Sequence, residues 1–186
     1  MSRPRAVNGI AKTCWRALLL DVNLYAEAFQ GSTLHRAAQT AVIIAACSHA
    51  IGSSMILLTY NTSVVLQILA FLANIAVVVV GYYSWTFAIW KIGAWLRGSM
   101  PPYKRLLVPI GLAYTPQILN VFTVVPLLGR PIEIGLALWS LFAAIVALHN
   151  GLNLKLSKAI AICTLGWVIV QVTIGMIQIG IQRILE

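Results

Sequence analysis

Acidic residues are nearly missing from this chain. Among 186 residues there are four Asp and Glu, and charged residues of both signs together make up only 9%. Soluble domains carry about 25%. With 60% of its residues hydrophobic, the chain lacks the polar surface that a water-soluble fold needs, and the class this leaves is an integral membrane protein. Paired cysteines are missing too. Cys14, Cys47 and Cys163 lie in separate segments without C-x-x-C spacing, which argues against a disulfide framework. There is no glycine-rich phosphate loop and no G-x-S-x-G, and the carboxylates of Asp21 and Glu27 stand six residues apart. No catalytic centre or cofactor is therefore expected. His49 follows Cys47 by two residues, the wrong helical spacing for shared ligation, so neither a metal nor a haem site is expected. The basic start, Met-Ser-Arg-Pro-Arg, leads to a short apolar stretch ending at Asp21, which does not read as a signal peptide.

What is present is long apolar text. Ala37 to Trp90 holds no Lys, Arg, Asp or Glu over 54 residues, too long for one crossing of about 20 residues. The polar break Thr59-Tyr60-Asn61-Thr62-Ser63 divides it into spans over 38–59 and 64–90. A basic connector from Lys91 to Arg105 follows, with a helix stop at Gly98-Ser99-Met100-Pro101-Pro102. A third span covers 106–128. Gly129-Arg130-Pro131 then turns the chain, with Pro131 suited to the first position of a fourth helix over 132–149. Gly151 suits a C-cap and Ser157 an N-cap for a fifth span over 158–182.

Charge supports this layout. With five spans, eleven of the thirteen basic residues fall on one side, and only Arg130 and Arg183 on the other. The positive-inside rule makes the N-terminus cytoplasmic and the C-terminus non-cytoplasmic. The net charge of +9 then reads as contact with anionic lipid headgroups rather than with nucleic acid. Residues 1–36 form a cytoplasmic segment. Within it, Asn8 to Gln30 has the apolar period of one amphipathic helix lying along the interface, and 37–186 is the membrane domain. Trp15, Trp90, Trp95, Arg97, Lys104 and Arg105 are the expected interface anchors.

The third span carries Pro109, Pro116 and Pro126, and interior prolines break helix hydrogen bonds, so it is expected to be kinked. Beside the kink stand Gln117 and Asn120, while Gln171 and Gln178 share a face of the fifth span. Packing between helices accounts for such amides. A sharper reading is a polar cavity between the third and fifth spans, open to a lipid headgroup or small solute. Glu133, beside Arg130, reads as a first-turn carboxylate favoured by the helix dipole.

Several words of this text are similar to one family. Leu18-Leu19-Leu20-Asp21 with Tyr25 and Phe29 precedes the first span. Tyr114-Thr115-Pro116, Val125-Pro126-Leu127-Leu128-Gly129 and Trp139-Ser140 follow, and Gly151-Leu152-Asn153 leads to Ser157-Lys158-Ala159 before the last span. In order and spacing, over about residues 17 to 184, the chain resembles the Yip1 domain family, small five-span membrane proteins with a cytoplasmic N-terminal segment. Val22 stands where bacterial members usually have proline, and the long cytoplasmic region of eukaryotic members is absent. The resemblance implies a bacterial inner-membrane protein and a non-enzymatic scaffold or adaptor that binds other membrane proteins or organises the bilayer, as an auxiliary subunit of a larger complex or by self-association. The alternative is a small-solute or lipid transporter built on the polar cavity.

Overall fold

A computed structural model of the chain describes residues 4–30, 34–58, 63–125 and 127–185, without the side chains of 4–8, 54–58, 174–175 and 177–185. The expected turn at 59–62, Pro126 and the side chain of Gln178 therefore lie outside the described residues. The described chain is helical throughout, with no strand: α1 (Pro4–Leu18), α2 (Val22–Ala28), α3 (His35–Leu58), α4 (Val64–Arg97), α5 (Tyr103–Ala113), a 3-10 helix (Thr115–Val124), α6 (Gly129–Gly151) and α7 (Leu156–Leu185). Val64–Arg97, Gly129–Gly151 and Leu156–Thr173 are each long and apolar enough to cross a membrane. The pair α5 and 3-10 helix, bent by 42°, makes a fourth if taken as one span. The expected first span falls on α3, which is not among the helices long and apolar enough to cross a membrane.

The N-terminal segment departs from the expected single helix. Leu20 takes a left-handed φ of 56°, and Asp21 starts a new helix by accepting from the N–H groups of Asn23 and Leu24. A short Asx-type cap competes with helix continuation, and here it wins. Arg16 Nε, from the end of α1, closes the corner by donating to Asp21 Oδ2 at 2.7 Å. The corner turns Leu24, Tyr25 and Ala28 into the bundle, where they are buried against α6, and the Tyr25 hydroxyl donates to the Ala17 carbonyl. Thus α2 is part of the core, and only α1 keeps the amphipathic pattern of an interface helix.

Helix α4 is longer than expected. Ser63 caps its start, and it continues through Lys91 to a left-handed Gly98 (φ 80°), so Lys91 and Arg97 belong to the helix and not to a connector. Lys91 is accommodated because its ammonium rides over the rings of Phe87 and Trp90, 5.8 and 5.2 Å from their centroids. Trp15 and Trp95 are largely exposed and Trp90 is half-buried; Arg97, Lys104 and Arg105 are exposed.

Three smaller expectations are corrected. Helix α6 begins at Gly129, which makes Pro131 its third residue rather than its first. Gly151 is the last residue of α6, and the left-handed turn after it is made by Asn153 (φ 50°). Gly151 is needed for space: a Cβ there would overlap the Phe29 ring. Ser157 lies inside α7, whose first turn closes on the Lys155 carbonyl instead.

Candidate functional site

The bend in the proline-rich stretch falls at Tyr114. Pro116 has no N–H to offer the Leu112 carbonyl one turn back. Thr115 Oγ1 donates to that carbonyl instead, at 2.6 Å, and the chain tightens into the 3-10 helix. A 3-10 helix of ten residues is long for its kind. Ser48 of α3 holds it in place. Its hydroxyl donates to the Ile118 carbonyl at 2.6 Å and accepts from the Val121 N–H at 2.7 Å. Gly52, one turn further along α3, lets the two backbones meet: a Cβ there would overlap Thr123 Oγ1 and come within 2.6 Å of the Asn120 carbonyl.

Holding the 3-10 helix away from α7 leaves a cavity of about 390 Å³, with walls from α3, α4, the 3-10 helix, α6 and α7. Pockets that hold small ligands run from about 300 to 1,000 Å³. Its polar lining includes His49, Gln117, Glu133, Ser140 and Gln171, and Arg130 stands at its exposed end. Trp85, Tyr114 and Trp167 supply aromatic walls. Tyr114 is held edge-on to Tyr82, with ring centroids 5.5 Å apart, and Trp85 is fixed by its indole N–H, which donates to the Cys163 carbonyl at 3.3 Å.

Of the four amides singled out in sequence, the structure brings two to this cavity. Gln117 and Gln171 line it, while Asn120 is buried just behind, its amide N–H donating to Gln117 Oε1. Gln117 passes the chain on, donating from Nε2 to Ser140 Oγ at 3.2 Å. The buried Asn120 Oδ1 has no partner among the described residues. Gln178 cannot be placed, because its side chain is outside them. Pro116 sets the bend. Pro109 sits buried inside α5 upstream of it.

The cavity also gathers residues that the sequence did not assign to it. His49 comes from α3 and Glu133 from α6, and both line the cavity. Arg130 Nη1 donates to Glu133 Oε2 at 3.0 Å. The side chains of His49, Tyr114, Trp167 and Gln171 make no hydrogen bond among the described residues. The wall thus presents free donors and acceptors, one carboxylate, one guanidinium and three ring edges or faces. That set can hydrogen-bond and enclose a small polar molecule. Among the described residues no group of three or more His, Cys, Asp or Glu could hold a metal ion. A second hollow of about 700 Å³, between α4, α5 and α7, is almost wholly apolar and suits hydrocarbon rather than a polar solute.

Compared with protein-family models, with curated proteins and with solved structures, the chain finds no match.

Proposed function

We propose that this chain is a five-span protein of the bacterial inner membrane, N-terminus cytoplasmic, that binds a small polar solute or a lipid headgroup in the cavity between α3, α6, α7 and the 3-10 helix. One observation carries this reading: polar side chains from four separate segments, several without an internal partner, converge on one hollow in a chain otherwise built of apolar helices. Polar groups set among apolar helices are costly unless they are paired or solvated, and for that reason they mark binding or transport paths. The resemblance to the Yip1 domain family supports the five-span layout. Handling of the bound molecule is non-covalent, by binding or passage rather than by reaction.

The test is accessibility followed by protection. In a chain with its native cysteines replaced, Gln117→Cys and Gln171→Cys are expected to react with a small water-soluble thiol reagent in intact vesicles, at rates well above a lipid-facing position such as Leu72→Cys. Reaction no faster than at Leu72→Cys would overturn the reading. A solute or lipid that slows the labelling at both positions identifies the ligand.

A scaffold or adaptor role is the second reading, and α4 favours it. The apolar window of that helix is only 6% buried, with Val64, Val65, Leu66, Ile68, Leu69 and Leu72 all exposed. A photo-crosslinker at Leu69 that yields a defined protein adduct in native membranes supports it. Adducts with lipid alone count against it.

A further inference from the structure

A separate hollow of about 440 Å³ opens where the end of α2 and the starts of α3 and α5 meet. His35 and Arg36 reach it from α3, and Lys104 and Arg105 from α5. Ala28, Phe29 and Val108 give it an apolar floor. That floor is fixed, because Val108 and Ala28 are buried and the Phe29 ring is seated on Gly151.

The charges here are unbalanced. Among the described residues no Asp or Glu lines the hollow. The described ion pairs are Arg16 with Asp21 and Arg130 with Glu133, and Glu27, on the exposed side of α2, forms no described ion pair with Arg36, Lys104 or Arg105 and does not line the hollow. Three cations from two helices therefore share one concave site without a paired counter-charge among the described residues. Like charges gathered on one hollow repel, and an anion that bridges them relieves the cost.

Position narrows the anion's identity. Phe29 touches the last residue of α6, whereas Glu133 and the polar cavity lie at its beginning. The eighteen residue steps from Glu133 to Gly151 span about 27 Å at 1.5 Å per residue, close to the roughly 30 Å of bilayer hydrocarbon. If α6 crosses a bilayer, the basic hollow lies at headgroup depth on the face opposite the cavity mouth. A cationic rim over an apolar floor matches a phospholipid, with phosphate on the rim and glycerol carbons on the floor. Free phosphate would gain nothing from the floor.

We propose that His35, Arg36, Lys104 and Arg105 form a discrete site for the phosphate of an anionic lipid headgroup, distinct from the general attraction of a basic membrane face. This site stands independently of what the polar cavity binds.

Native mass spectrometry of the purified full-length chain, titrated with phosphatidylglycerol or phosphatidylcholine, tests it. One phosphatidylglycerol per chain is expected to be retained in preference to phosphatidylcholine. R36Q/K104Q/R105Q should weaken that retention on the order of tenfold or more, as each basic residue contributes appreciably to anionic-lipid attraction. R97Q/K155Q/K158Q removes as much charge from the same basic side and should leave retention within about twofold. R105Q alone, a change at an exposed side chain, should show a measurable part of the loss. Equal loss in both triple variants would mean a diffuse surface charge and overturn the proposal, as would no loss in R105Q or no lipid preference in the unaltered chain. Inorganic phosphate or sn-glycerol 3-phosphate should not displace the lipid at matched concentration. Displacement by either would assign the site to a soluble phosphate and overturn the lipid source.

Discussion

Single residues hold this structure at two corners. At Gly52 there is no room for a side chain, since the nearest atoms include the backbone carbonyl of Asn120, which cannot rotate away. Gly52→Ala is expected to destabilise the chain by about 1–3 kcal/mol, the usual range for overpacking. Thermal unfolding in detergent measures it, and a midpoint equal to that of the parent chain would contradict the close approach. The other corner is Asp21. The hydrogen bond from Arg16 holds its carboxyl below the usual carboxylate range, helped by the N–H groups of Asn23 and Leu24. A pKa lowered on folding contributes stability that is present above the unfolded value of about 3.9 and is lost as pH falls through the folded value. The α1–α2 corner should therefore loosen only below about pH 4. Asp21→Asn should remove that acid-dependent step, read as proteolysis between α1 and α2 across pH. The exposure of the pair keeps its salt-dependent part small. Burial pushes the Cys14 thiol up, so slow alkylation at neutral pH follows there as well.

At the scale of the element, the decisive unit is α5 with the 3-10 helix. Pro116 removes one N–H, Thr115 covers the stranded carbonyl, and Ser48 anchors the tightened turn from outside. Pro116→Ala restores the missing donor, so α5 should run on as a straighter helix. The 42° bend should shrink, and Gln117→Cys should label more slowly as the cavity closes. Spin-label distances between the ends of the pair check the first outcome, and an unchanged distance would assign the bend to Ser48 and packing instead. The kink was legible from proline alone, because the loss of an N–H is a local fact. The partners of the kink were not. Nothing in the spacing of Ser48 or Gly52 ties them to residues some seventy positions away.

At the scale of the whole molecule, the five-span layout makes a definite prediction. Reporter fusions after Arg130 should lie on the opposite membrane side from fusions after Lys104 and Lys155. All three on one side would exclude the layout and leave a smaller number of crossings. The proposed cavity then opens on the side of Arg130, and the basic hollow on the other.

Composition and periodicity by themselves determined that this protein is apolar, helical and bent beside Pro116, because hydropathy, helix period and proline geometry act within a few residues. They also singled out Gln117 and Gln171. They read Glu133 as a first-turn carboxylate, set His49 aside as a ligand, and took the N-terminal segment as one surface helix. Tertiary structure decided otherwise. The turn at Leu20 and Asp21 carries Tyr25 into the core, and the packing of α3 against the 3-10 helix carries His49 to the same cavity as Glu133. Which polar groups meet depends on how helices rotate and approach one another, and that is set by contacts such as Gly52 on Asn120 and Gly151 on Phe29, which join segments far apart along the chain.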